Sequence, residues 1–129
     1  MIRKLYLGLA LCLAMTVPAT AADYPDKPVR IVVPFPPGGT SDVLARIVAT
    51  GLSERMGQQF VVDNRPGASG VIGTSMVAKA EPDGYTLVFA TINTHGINAS
   101  LFPNLPYDPV KDFAPVTVVA KIPSGRRVP

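Results

Sequence analysis

The chain is poor in cysteine and histidine, with one of each in 129 residues. A single Cys excludes a disulfide framework within the chain and a Cys-based zinc site. A single His excludes any metal motif built on two histidines. Charge is scarce as well: 16% of residues are charged, against 47% hydrophobic. That balance is too apolar and too weakly charged for a disordered chain. The net charge of +3 gathers into no basic stripe, which argues against nucleic acid as a partner. Proline is abundant by contrast. Its 14 copies are roughly twice the usual share, and they fall in discrete clusters, as structured loops require. The length allows one domain at most.

The first 21 residues read as a targeting segment. Arg3 and Lys4 precede an apolar run, Leu5–Val17, which is followed by Ala19-Thr20-Ala21. A basic start, an apolar stretch of this length and an Ala-x-Ala site make a secretory signal peptide, cleaved after Ala21. The run is shorter than the roughly 18 apolar residues a membrane-spanning helix needs. A buried N-terminal helix is the alternative. Bulky Leu11 before Cys12 disfavours a lipoprotein. Two of the twelve basic residues lie in this segment, so the remainder carries ten against nine acidic residues, a net charge of +1. An exported chain without Cys is held by its core alone, and about 108 residues bury a modest one.

From residue 22 onward the pattern alternates between strand and helix. Val29–Val33 is a nearly continuous β-branched run stopped by Pro34, as in a parallel strand buried on both faces. The loop Phe35–Ser41 holds Pro36, Pro37, Gly38 and Gly39, and Thr40 or Ser41 can cap the helix that follows. Val43, Leu44, Ile47, Val48 and Leu52 recur at helical spacing, and Gly57 closes that helix. Phe60–Val62 reads as a second strand, Asn64–Gly70 as a loop and Val71–Lys79 as a second helix. Glu81–Gly84 reads as a type I turn, Tyr85–Ala90 as a third strand and Pro115–Ala120 as a fourth. The stretch Thr91–Asn98 is polar and leads into a short helix. The order predicts an α/β fold, an open and mostly parallel sheet with flanking helices.

Ligands in such sheets bind outside the carboxyl ends of the strands, where three of these loops lie. Gly38 and Gly39 let the backbone approach a ligand closely. The free N–H groups of the next helical turn favour an anion, and Thr40 and Ser41 add hydroxyls. Thr91, Asn93, Thr94 and His95 add donors from the third loop. A donor set that is mostly neutral suits a carboxylate held by fixed dipoles. The same residues are also consistent with a tight turn and a helix cap. Asp42 could hold a cation or act as a base, but it also suits the local N–H groups of a helix start. His95 could bind ligand or sit hydrogen-bonded in its loop. Arg65 could grip a carboxylate or anchor its loop.

Enzyme signatures are poor. Gly67, Gly70 and Gly73 are spaced G-x-x-G-x-x-G, which is not the dinucleotide pattern. There is no phosphate loop of the form G-x-x-x-x-G-K-[ST] and no G-x-S-x-G elbow. Ser41 or Ser69 with His95 makes no convincing triad. Nothing calls for a metal or a cofactor. A small exported enzyme or nucleotide-binding module remains the alternative class, without its signature residues.

Four segments carry a resemblance: Tyr24–Asp42 (YPDKPVRIVVPFPPGGTSD), Asp63–Ala68 (DNRPGA), Ala80–Leu87 (AEPDGYTL) and Leu105–Val116 (LPYDPVKDFAPV). In this order they closely resemble the Bug family, the TctC-like periplasmic substrate-binding proteins of tripartite tricarboxylate transporters. The resemblance covers residues 24 to about 122. It implies a two-lobed, flytrap-like binding protein in the periplasm. Such a protein captures a small carboxylate (a di- or tricarboxylate, an amino acid or an aromatic acid) and passes it to membrane permease subunits without catalysis. It also implies first-lobe ligand contacts at Phe35, Gly38, Gly39, Thr40, Ser41 and Asp42, and at Thr91, Asn93, Thr94 and His95. Residues 22–122 then correspond to part of the first lobe. After Ile122 the expected crossing strand is replaced by a polar, basic stretch, residues 123–129, as a frameshift or premature stop would leave. A chain ending there would keep an open sheet edge and half a ligand shell, and would bind weakly or be a non-functional fragment.

Overall fold

The computed structural model describes residues 23–121. The expected signal peptide and the basic stretch 123–129 lie outside the described residues. Three strands form one parallel sheet: β1 (Val29–Val33), β2 (Phe60–Asn64) and β3 (Thr86–Val88), in the order β2-β1-β3. Three helices accompany them: α1 (Thr40–Met56), α2 (Val71–Ala78) and α3 (Asn98–Leu101). A 3-10 turn, Ala68–Gly70, precedes α2, and a π-helical turn, Asn93–Ile97, precedes α3.

The sheet is central because β1 is almost wholly apolar. Val29 pairs with Phe60 and Val33 with Asn64, while Arg30 to Val32 pair with Thr86 to Val88. Val29, Val32 and Val33 are fully buried, which stabilises the fold by roughly 1.5–3 kcal/mol for each side chain. Helix α1 packs on β1 and β2, and α2 on β1 and β3. Since the chain winds from β1 out to β2 and back past β1 to β3, right-handed crossovers set the two helices on opposite faces. Val29, Ile31 and Val33 join Ala45, Ala49 and Phe60 in one cluster on the α1 side, and alternation turns Val32 to the other face.

Several expectations need correction. Helix α1 turns Ala45 and Ala49 inward, flanked by Leu52. Val43 and Ile47, expected on the inner face, are 49% and 63% exposed. Two small side chains let the helix lie close on β1, and that approach outweighs the larger apolar residues one step round. The helix cap is Gly39, one residue before Thr40, and makes no side-chain hydrogen bond. Gly57 does close the helix, left-handed at φ +71°, its N–H bonded to the Ser53 carbonyl. Strand β2 runs two residues longer than expected and β3 is shorter. Pro115–Ala120 is exposed and forms no strand, because no neighbouring chain among the described residues completes a ladder with it.

Candidate carboxylate-binding edge

The strand order reverses at β1, since the chain leaves it for β2 on one side and returns to β3 on the other. Loops on either side of such a point diverge and leave a crevice at the carboxyl edge. Phe35, Pro36, Pro37, Gly38, Gly39, Thr40 and Ser41 line an open depression of about 580 Å³ there. Buried Pro34 ends β1, and Gly38 turns the chain at φ +84° into α1. With no side chain capping α1, the N–H groups of its first turn are left for an external acceptor.

Asp42 does not open into this depression as a free acid. It is 3% exposed, and its oxygens accept the Gly38 N–H at 2.8 Å, Arg46 Nε at 3.1 Å and Asn64 Nδ2 at 3.0 Å. The Arg46 guanidinium first, then the Gly38 and Asn64 donors, hold its pKa down to about 2.

The third loop is organised around Thr94, which is fully buried. Its hydroxyl accepts the Thr91 N–H at 3.0 Å, lies 3.1 Å from the Thr91 carbonyl and meets His95 Nδ1 at 2.9 Å. Its carbonyl accepts the Tyr107 hydroxyl at 2.6 Å. His95 is half-buried, edge-to-face on Phe113 with ring centroids 4.7 Å apart. Burial lowers its pKa from 6.5. Thr91 is half-buried, its hydroxyl oxygen enclosed without a partner, and Asn93 is exposed.

The first and third loops meet across Gly70. A Cβ there would lie 2.8 Å from Thr94 Cγ2 and 3.4 Å from Phe35 Cζ. The depression itself is lined by the first loop alone, so Thr91, Asn93, Thr94 and His95 stand beside it. Arg65 folds back onto Asp63, with Nε 3.0 Å from both oxygens. Sequence reasoning missed Arg46, Asn64 and Tyr107, and did not single out Asn98. Asn98 is 1% exposed and donates to the Ser69 carbonyl at 3.0 Å. Arg46 alone left a local signal, four residues after Asp42 on one helix. Among the described residues no cluster of three His, Cys, Asp or Glu is placed to hold a metal ion, and no helix is long and apolar enough to cross a membrane.

An open parallel sheet with a polar loop edge at its switch point is the architecture of a ligand-binding α/β lobe. Solved structures agree in fold. MatC from Rhodopseudomonas palustris, solved with bound malate, superposes with a TM-score of 0.69 at 42% identity, over 72% of this chain and 32% of that one. A second R. palustris protein, solved with adipate, gives 0.66 at 49% identity, over 67% and 29%. BugT of Bordetella pertussis is 44% identical over 110 residues, covering 84% of this chain and 34% of its own. The model of the tripartite tricarboxylate transporter family receptor, TctC, matches residues 44–129. The chain belongs to that receptor family. It spans about a third of the length of the relatives it matches.

Proposed function

We propose that this chain supplies one side of the ligand site in a periplasmic solute-binding component of a tripartite tricarboxylate transporter. The site captures a small carboxylate for delivery to membrane permease subunits, and the mechanism is binding without chemistry. Residues 1–21 act as the export signal. The carrying observation is the uncapped first turn of α1 opening into the depression at the sheet's switch point. Backbone N–H groups at Gly39, Thr40 and Ser41, with the two hydroxyls, would take one carboxylate group. That arrangement favours an anion through fixed dipoles and free donors together. Donors of the Thr91–His95 loop would take the flank beyond Gly70. The adipate and malate bound by the two R. palustris proteins support the ligand class.

The test is a nuclear magnetic resonance titration of the full chain with malate and with adipate, the diamide of adipate serving as the neutral control. The expected result is amide shifts at Gly38–Ser41 and Thr91–His95 with both acids and none with the diamide. Equal shifts with the diamide, or none at these residues at millimolar acid, would overturn the reading.

A further inference from the structure

The loop that lines the depression is braced by residues outside its lining. Pro36 and Pro37 have no N–H to donate, and the chain reverses at Gly38 with φ +84°. The bracing comes from elsewhere. Asn64, the last residue of β2, donates Nδ2 to the Phe35 carbonyl at 3.2 Å and to Asp42 Oδ1 at 3.0 Å. Its own Oδ1 accepts Arg46 Nη2 at 3.2 Å. Arg46 Nε spans both oxygens of Asp42 at 3.1 Å, and Asp42 Oδ2 accepts the Gly38 N–H at 2.8 Å. The network therefore grips the loop at Phe35 and at Gly38, and ties it to β2 and α1.

Charge makes a second demand. Asp42 stays ionised at neutral pH, since its partners hold its pKa near 2. It follows directly on Ser41, at the turn where a ligand carboxylate would sit. An uncompensated negative charge there would oppose an incoming anion, and Arg46 supplies the compensating one.

We propose that Asn64 and Arg46 are positioning residues of the carboxylate site, acting through Asp42 to hold the Phe35–Gly38 loop and to cancel the Asp42 charge. The inference rests on the carboxylate reading above. Neither residue lines the depression.

The test compares the full wild-type chain with Asn64→Ala, Arg46→Ala and the double variant Arg46→Ala/Asp42→Asn. Three quantities are read: hydrogen exchange at the Gly38 amide, its pH titration, and malate affinity from the Gly39–Ser41 amide shifts. In wild type the Gly38 shift should titrate with a midpoint near 2. Each single variant should raise that midpoint toward 3.8, since fewer donors favour the ionised acid. Each should also speed Gly38 exchange and weaken malate by about tenfold, the scale of one lost hydrogen bond to a charged group. The double variant should recover part of the affinity lost by Arg46→Ala, the part due to charge. Its charge at position 42 is gone and its amide oxygen can still accept from Gly38, but its NH2 then faces the Asn64 Nδ2 donor, so that strut of the brace is lost. Unchanged Ile31 and Val32 amides report an intact fold, and Asn64→Gln replaces Asn64→Ala if that variant does not fold. Gly38 behaviour unchanged in the single variants would overturn the proposal. A double variant that binds no better than Arg46→Ala would overturn the charge-cancelling half of the proposal. A wild-type chain indifferent to malate while Gly38 responds as described would keep the clamp and overturn the carboxylate reading.

Discussion

Gly73 lies where α2 crosses the end of β1. A Cβ there would stand 2.7 Å from the Arg65 carbonyl oxygen and 3.0 Å from Pro34 Cβ. Both neighbours are anchored, Pro34 by burial and Arg65 by its N–H bond to the Val33 carbonyl at 2.8 Å. Gly73→Ala should therefore destabilise the fold by about 1–2 kcal/mol, the clash outweighing the gain in helix propensity. A lower urea midpoint at unchanged slope would show it, and a raised midpoint would contradict it. The sequence marks Gly73 only as the third glycine of an imperfect dinucleotide pattern. Its physical role depends on a strand end forty residues earlier in the chain. Asp42 is similar: as a lone acid at a helix start it is ambiguous in sequence, and three partners in space resolve it.

Among the elements, those with strong local chemistry were legible. The β-branched run of β1 ends at Pro34, Gly57 closes α1, and α2 follows its glycine loop, all as the sequence indicates. Which side of α1 faces the sheet was not legible, because Val43/Ile47 and Ala45/Ala49 both recur at helical spacing. Packing chooses the alanines. Ala49→Leu should accordingly cost about 1–3 kcal/mol by overfilling the α1–β1 contact. Ile47→Lys, at a 63% exposed position, should change stability by no more than about 0.5 kcal/mol. Thermal or urea unfolding of the two variants decides the matter, and the opposite ranking would restore the expected face. The absent fourth strand has a related cause. Pro115–Ala120 has strand-like composition, but a strand exists only when a neighbour pairs with it.

Over the whole molecule, β2 and β3 are each paired on one side only among the described residues. Such edges, together with an exposed β-branched stretch, template association between chains. Val116 and Val118 are 82% and 71% exposed. The variant Val116→Lys/Val118→Lys should show less concentration-dependent light scattering than wild type. Its urea midpoint should stay unchanged, since neither side chain is buried. Scattering equal to wild type would place the association elsewhere.

The sequence by itself determined the α/β class and the parallel order of elements, because these rest on composition and local period, and it carries the four segments whose resemblance marks the family. It also brought the glycine-rich loop after β1 to notice. Tertiary structure alone decided the strand order, the inward face of α1 and the Asn64–Asp42–Arg46 brace behind the loop. The reason is distance along the chain. Asn64 reaches Asp42 from 22 residues away and Phe35 from 29, and no local pattern encodes a hydrogen bond between residues that only the fold brings together.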